Sequence, residues 1–443
     1  MLKRHPIILN CVWMLILLAL PLPLVAILDS SLLPAAISQL LPIDAGVTAY
    51  VWWLAAVALS TRPRWIDRIM GLPKMYLIHS LLGIGALLLA FLHRHFLMTM
   101  GRWIALAGNT AWYLALFGLT YALLMLSGLL VDRFTPASKL KHRLETVFNH
   151  QISVWVHRLN LVAILAIWLH VHLIGRISIH FWFITLFDLY TVAALGCYCW
   201  AKFRGPAKYL HGTIVENREL SPQTQRLVLD FGRNAHGYEA GDYFFFTFPA
   251  ISNENHPFSV TDAPDNHLAE RTADGKNERN QHRMVLTVRK LGDYTKHLAD
   301  LPVGSEVGAE GPFGRFADDI ERCIASDKPV VLVGMGTGIA PLLSLAEEYR
   351  TRLPIHVIWT VRAGSEAYFD HEFRNMRDDD EIRYDMQVGR LTDEQIPRLL
   401  SKTELKEATF FVVGPARGVI DVEHMLHAQG VARQRLVDER LTM

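Results

Sequence analysis

Four cysteines among 443 residues are too few and too scattered for a disulfide or zinc framework. Cys11 and Cys323 stand alone, and one residue separates Cys197 from Cys199, so all four read as packing residues. The chain also lacks an internal repeat, a nucleic-acid-binding motif and a nucleophile–base triad, so solenoids, nucleic-acid partners and triad hydrolases drop out. The most informative scarcity is of charge. Residues 1 to 205 hold 16 Lys and Arg against 6 Asp and Glu, whereas residues 206 to 443 hold 28 against 37. The net charge of +1 therefore hides a basic, very apolar half joined to an acidic half of ordinary soluble composition.

Six segments of the first half are almost free of Lys, Arg, Asp and Glu: 7 to 28, 45 to 61, 75 to 93, 103 to 131, 152 to 174 and 177 to 201. Most approach the roughly 20 apolar residues that cross a ~30 Å hydrocarbon layer as helix, which predicts a membrane all-α six-helix bundle in contact with the lipid bilayer. Lys3, Arg4, Arg62, Arg64, Arg68, Lys74, Arg133, Lys139, Lys141, Arg143, Lys202, Arg204 and Lys208 fall on one side of that arrangement. Only Arg94, Arg102 and Arg176 fall on the other. The positive-inside rule then puts the N-terminus and the soluble half in the cytoplasm and the bundle in the cell (inner) membrane. The first segment reads as a span rather than a signal peptide, because its apolar run exceeds the usual 7 to 15 residues and no small-residue cleavage site closes it.

Histidines interrupt two of these spans. IHSLLGIGALLLAFLH carries His79 and His93. Fourteen residues rise about 21 Å along a helix and return to within ~40° of the same face. Ionisable groups inside a span are costly and by default suggest function. A lone histidine is satisfied by a neighbouring carbonyl, but the fifth span repeats the pattern with His157 and either His170 or His172. Two helices offering imidazoles at two depths make two facing pairs, as two stacked six-coordinate haems require. From His157 an ideal helix places His172 about 60° and His170 about 140° away, so periodicity prefers His172 unless a π-bulge shifts the register.

Beyond Gly205-Pro206 strand-like runs take over: TQRLVLDF, DYFFFTF, RMVLTVRKL, PVVLVG and LPIHVIWTVRA. In VGMGTGIAP, Gly334, Gly336, Thr337, Gly338 and Pro341 lie in a turn between strand and helix. There glycines let the backbone approach a pyrophosphate at a helix N-terminus. A further strand, ATFFVVGPA, ends in a similar turn at Gly414-Pro415, which completes the pattern of an α/β nucleotide-binding unit.

Three short motifs upstream narrow the reading. His256-Pro257-Phe258-Ser259, followed by Val260, then Gly292-Asp293-Tyr294-Thr295 and Gly311-Pro312-Phe313-Gly314, resemble the flavin-binding motifs of the NADPH oxidase and ferric reductase superfamily. The cytoplasmic part of that superfamily is similar to ferredoxin-NADP reductase. The likeness extends over nearly the whole chain: six spans, paired histidines in the third and fifth, a flavin barrel and a nicotinamide nucleotide domain. It implies a haem-binding membrane domain over 1–205, an FAD-binding β-barrel over 206–325 and a Rossmann-like NAD(P)H-binding domain over 326–443. It implies Pro257, Phe258 and Ser259 at the flavin ring and ribityl chain, with Arg289 and Thr295 facing the pyrophosphate. Family members space the fifth-span ligands thirteen apart, which favours His170. The same likeness pairs His79 with His157 on a cytoplasmic-side haem b and His93 with His170 on an outer one. Arg362 and Arg390 match places where relatives hold the extra phosphate of NADPH, and a bidentate guanidinium suits a phosphate. NADPH is therefore expected ahead of NADH.

The sequence also departs from the superfamily. The usual terminal aromatic over the flavin is replaced by Asp438-Glu439-Arg440-Leu441-Thr442-Met443, and Leu97 stands where oxidases keep a histidine four residues past the outer ligand. The second span opens DAGVTAY without an arginine. The expected acceptor on the extracytoplasmic side is accordingly a ferric chelate, steered by Arg94, Arg102, Arg176 and His180. Oxygen is the alternative acceptor. A histidine-bearing transporter without enzymatic activity is the contrasting class. Arg158 is expected either at a haem propionate or snorkelling to the interface, and Asp188 bonding to a neighbouring helix. Residues 262 to 284 read as a polar loop, and Asp378 to Glu381 as a solvated one.

Overall fold

The computed structural model describes residues 6–33, 37–97, 101–125, 144, 150–204, 209–232, 237–264 and 282–441. Most of the polar loop expected over 262 to 284 lies outside them. The chain forms two compact units, Met1–Gly205 and Pro206–Met443.

The first unit is helical. Helix α1 (Pro6–Ala19) meets α2 (Leu22–Leu32) at a turn, where Pro23 in the first turn of α2 costs no hydrogen bond. There follow α3 (Leu40–Ser60), α4 (Arg64–Met70), α5 (Leu72–Phe96), α6 (Arg102–Met125), α7 (His150–Leu173) and α8 (Phe181–Phe203). Gly71, at φ +82°, ends α4 and opens α5, a conformation that only glycine adopts without strain.

Five segments among the described residues are long and apolar enough to cross a bilayer: Cys11–Leu32, Ile37–Ser60, Leu72–Phe96, Ile152–Leu173 and Phe181–Phe203. Six were expected. The fourth, 103 to 131, is helical as α6 over Arg102–Met125 but does not join the five, and its remainder falls outside the described residues. Asn109, Thr110, Trp112, Tyr113, Thr120 and Tyr121 lower the hydropathy of α6 below that of the other five. Its buried face is Ala107, Ala111, Ala115, Gly118, Ala122 and Met125, mostly small residues three or four apart that let another helix approach closely.

The helices pack chiefly as two pairs, α3 along α5 and α6 along α7. Tyr50 of α3 ties in α8: its ring stacks on Phe187 at 4.6 Å and its hydroxyl lies 2.9 Å from the Thr191 hydroxyl. Cys11, Cys197 and Cys199 lie exposed on helix surfaces, so only Cys323 is the packing residue expected of all four.

In the second unit a six-stranded antiparallel sheet runs in the order β4-β3-β6-β1-β2-β5. Its strands are β1 (Leu210–Ser221), β2 (Thr224–Asp230), β3 (Tyr243–Thr247), β4 (His256–Ser259), β5 (Arg283–Arg289) and β6 (Glu306–Phe313). The two edges meet where Val260, just past β4, bridges Leu286 of β5 and Thr261 N–H donates to Val285 O at 2.9 Å. The sheet thereby closes on itself around Leu227, Leu229, Phe244, Phe246, Phe248 and Leu286.

A five-stranded parallel sheet follows, ordered β11-β10-β7-β8-β9, from β7 (Val330–Met335), β8 (Ile355–Val361), β9 (Arg383–Val388), β10 (Thr409–Pro415) and β11 (Leu436–Leu441). The central strands are continuous apolar runs because helices such as α9 (Ile339–Tyr349) and α10 (Ala416–Ala428) flank the sheet. Strand order reverses between β7 and β10, and the crevice beyond the carboxyl ends at such a point is where parallel sheets bind ligands. The acidic run Asp378–Asp380 is exposed, whereas Glu381 is held by Arg350 at 2.8 Å.

Phe246→Ala removes a fully buried ring from the closed sheet. It is expected to cost about 3–5 kcal/mol, read as a lowered denaturant midpoint of the full-length protein at unchanged slope.

Candidate functional site

The four predicted histidines come together as two pairs. The rings of His79 (α5) and His157 (α7) lie 5.9 Å apart between centroids, and those of His93 (α5) and His170 (α7) lie 6.3 Å apart. Each ring is oriented by a backbone carbonyl on a neighbouring helix. His79 Nδ1 lies 2.9 Å from Ala56 O and His93 Nδ1 2.9 Å from Pro42 O, both on α3. His170 Nδ1 lies 2.9 Å from Ile104 O, and His157 bonds to the Gly118 carbonyl, both on α6. The acceptors repeat every fourteen residues on each helix. With Nδ1–H donated to a carbonyl, the lone pair of each Nε2 is left available to a metal.

This arrangement separates the two candidates on α7, since His170 faces His93. His172 turns elsewhere: its Nδ1 bonds to Trp168 O at 2.9 Å and its Nε2 lies 3.3 Å from Asp188, which also accepts from the Trp168 indole at 2.7 Å. Helix α7 is α-helical throughout, so no π-bulge brings His170 into line. Helical periodicity alone sets His157 and His170 well apart around α7, yet both rings meet imidazoles of α5. Imidazoles are long enough to straddle a helix, and the α6 carbonyls fix where they settle. Asp188 takes the structural interhelical role expected of it. Arg158 lies 4.9 Å over the exposed Trp155 ring. Arg94 is tied to Asn109 and lies over Trp112 and Tyr113, 5.9 and 5.7 Å from their ring centroids.

At the carboxyl edge of the parallel sheet, Gly336 (φ +58°), Thr337 and Gly338 form the turn from β7 into α9, with Pro341 buried in the first turn of that helix. A Cβ at Gly338 would stand 2.4 Å from Val413 O, so this glycine lets the turn close against β10. Gly334 is likewise required, because Ile339 fills the space beside it, and Gly414 because Met335 does. Pro415 ends β10 beside them. Arg362 follows β8, and Arg390 follows the positive-φ Gly389 after β9, whose N–H donates to Val361 O at 2.8 Å. Both arginines are exposed at the edge that carries the glycine turn. Trp359, buried in β8, donates its indole N–H to Gly336 O at 3.0 Å and packs against Tyr368. Tyr368 in turn lies beside Thr224 and Arg289 of the closed sheet.

The flavin-motif residues line one rim of that sheet. Pro257 is exposed, Phe258 is half-buried against Phe246, and Val260 is buried at the closing bridge. The His256 ring packs on Tyr294 at 3.7 Å and faces Glu254 at 3.5 Å. Arg289 is half-buried and bonds to Gln223 at 3.1 Å. The Thr295 hydroxyl oxygen accepts from the N–H groups of Leu291 and Gly292 at 2.9 and 3.1 Å, so it shapes the turn that begins at Gly292. Gly311 and Gly314 also act through packing, since a Cβ at either would strike Phe244 or Asp242.

One residue at this rim escaped the sequence reading. Glu439, in a segment regarded only as a departure, is carried by the parallel pairing of β11 with β10 and hydrogen-bonds Ser259. Burial, with Asp242 and Asp438 nearby, pushes its carboxyl up to about 7. Asp262, buried at the closing bridge and accepting from Val285 N–H at 2.9 Å, is also pushed up to about 7.

The folded chain therefore holds a proton on Glu439 that the unfolded chain releases between pH 4.5 and about 7, so stability falls as pH rises across that window. Glu439→Gln is expected to shallow this slope in the thermal unfolding of the full-length protein, and Asp262 leaves part of it in place. A slope identical to the parent's would show that Glu439 is already ionised.

No protein-family model matches the chain. Curated relatives include the dihydroorotate dehydrogenase B electron transfer subunit of Fusobacterium nucleatum, 25% identical over 141 residues, which cover 31% of this chain and 54% of that protein. Respiratory burst oxidase homolog protein F of Arabidopsis thaliana is 27% identical over 135 residues, 25% of this chain and 12% of that one. A superoxide-generating NADPH oxidase heavy chain of Dictyostelium discoideum is 27% identical over 120 residues, 26% of this chain and 22% of that one. The matches thus span about half of the first relative and under a quarter of the two oxidases. Among solved structures, a ferredoxin NADP+ reductase from Neisseria gonorrhoeae aligns over 53% of this chain and 98% of its own, with TM-score 0.44 and 16% identity. The NADPH oxidase and ferric reductase superfamily is the group this chain resembles, with plant and Dictyostelium oxidases among its relatives.

Proposed function

We propose that this protein is an NAD(P)H-dependent oxidoreductase that carries electrons from a cytoplasmic nicotinamide nucleotide, through FAD and two b-type haems, to an acceptor across the membrane. The observation that carries the reading is the spacing of the two imidazole pairs. Metal–imidazole bonds of about 2 Å on each side would set ring centroids about 6 Å apart, and the pairs lie at 5.9 and 6.3 Å. Among the described residues no three His, Cys, Asp or Glu gather as a metal site, so two-ligand sets suit a group that brings its own in-plane donors.

In this reading His79 with His157 and His93 with His170 would hold the haems, and α6 is the sixth span. Pro257 and Phe258 would offer an apolar platform to the flavin ring, and the Ser259 hydroxyl, bonded to Glu439, would face its reactive edge. Arg289 would meet the pyrophosphate. The glycine turn at Gly334, Gly336, Thr337 and Gly338, with Pro341 and Gly414-Pro415 around it, would admit the nucleotide's pyrophosphate at the N-terminus of α9. Arg362 and Arg390, exposed at the same edge, would select NADPH over NADH through its extra phosphate. FAD supplies the exchange between the electron pair of a hydride and the single electrons that haem iron carries. The side chains bind, orient and exclude water, and Glu439 holds a proton within reach of Ser259.

A ferric chelate is the acceptor this reading favours, because position 97 is leucine and the opening of α3 has no arginine, where oxidases of this superfamily keep a histidine and an arginine at the outer haem. The oxidase names among the relatives support oxygen as the second reading. The excess of basic residues on one side of the bundle supports a cytoplasmic N-terminus and soluble unit, with the bundle in the cell membrane.

Anaerobic NADPH should bleach the flavin and reduce both haems of the full-length protein, and ferric citrate should reoxidise them with no effect of superoxide dismutase. If dismutase abolishes ferric reduction under air, the acceptor is oxygen. His170→Ala should lower the haem content from two per chain to about one, whereas His172→Ala should leave it at two. The reverse pattern would overturn the ligand assignment, and a parent protein without haem absorbance would return the chain to the transporter class.

A further inference from the structure

Behind the two outer imidazoles stands a matched pair of glycines. In an α-helix the carbonyl of residue i lies beside residue i+4. The acceptor of His93 is Pro42 and the residue four beyond is Gly46, while the acceptor of His170 is Ile104 and the residue four beyond is Gly108. A Cβ at Gly46 would stand 2.4 Å from His93 Nδ1 and 2.8 Å from its Cε1. A Cβ at Gly108 would stand 2.9 Å from His170 Nδ1 and 3.0 Å from its Cε1. Two helices, reading PIDAG and IALAG at these positions, thus place the same notch against two partner rings. The inner pair is built otherwise, since the residues four beyond Ala56 and Gly118 are Ser60 and Ala122 and the rings bond despite the side chains there.

We propose that Gly46 and Gly108 are positioning residues for the outer metal-binding pair, notches that let each ring press onto the helix backbone far enough to reach its carbonyl. The inference rests on the haem reading above. To regain ordinary contact of about 3.5 Å, a ring would withdraw by about 1 Å from a methyl at residue 46 and by about 0.6 Å from one at residue 108. Ligand geometry tolerates about 0.2 Å. Withdrawal also lengthens the Nδ1–carbonyl bond that fixes the tautomer and raises the basicity of Nε2. The consequence is confined to the outer level, because neither glycine touches His79 or His157.

The test compares full-length Gly46→Ala, Gly108→Ala and Gly83→Ala in detergent. The last is the control, since a Cβ at Gly83 would meet only Leu119, at an ordinary 3.5 Å. Low-temperature electron paramagnetic resonance of the oxidised proteins resolves two low-spin iron signals in the parent, and His93→Ala marks which is the outer one. Gly46→Ala and Gly108→Ala should each shift or abolish the outer signal and lower haem per chain from two toward one, with the inner signal intact, while Gly83→Ala matches the parent. Unchanged outer signals in both alanine variants, or equal loss of both signals, would overturn the assignment. A parent lacking both signals would instead sink the proposed function.

Discussion

Everything in the helical unit follows from the cost of keeping four imidazoles inside an apolar bundle. Each ring carries an N–H that must be satisfied where water is absent. The chain solves this with backbone rather than side chains: Pro42 and Ala56 on α3 and Ile104 and Gly118 on α6 present carbonyls that already serve their own helices and use their remaining lone pair for a histidine. That solution dictates the pairing of helices. α5 must lie close along α3 and α7 close along α6, and the small residues Ala107, Ala111, Ala115 and Gly118 make the second approach feasible. It also leaves the paired rings 5.9 and 6.3 Å apart between centroids, with each Nε2 lone pair unspent on the carbonyl.

The soluble unit meets a different constraint with similar economy. One edge of the parallel sheet gathers groups suited to an anion: the positive-φ turn at Gly336, the N-terminus of α9, and Arg362 and Arg390 at the ends of neighbouring strands. Trp359 secures that turn from below, and Tyr368 connects it to Thr224 and Arg289 on the closed sheet. The C-terminal strand then delivers Glu439 to Ser259. The glycine turn, the closed sheet and the C-terminal strand are thereby tied into one unit.

Much of this was legible beforehand. Charge-poor segments marked the helices, and His79, His93 and His157 stood out because an ionisable group in such a segment demands an explanation. The glycines of VGMGTGIAP announced a tight turn because few other residues permit one. What stayed hidden depended on partners far apart in sequence. Choosing His170 over His172 needed Ile104 and Asp188, which no helical periodicity of α7 contains. Glu439 looked like the absence of an aromatic residue, since only the parallel pairing of β11 with β10 brings it to Ser259. The packing of Phe244 against Gly311 and of Asp242 against Gly314, and the bonding of the Thr295 hydroxyl within its own turn, likewise appear only once the chain is folded. The small residues on the buried face of α6 record its close packing, which composition alone did not announce.

The central claim is that two facing imidazole pairs each hold one iron porphyrin in a chain that also holds one flavin. It is tested most directly by extracting haem and flavin from the same purified sample and quantifying both against protein. The account predicts two non-covalent b-type haems for each FAD and each chain. A single haem, or flavin without haem, would contradict it.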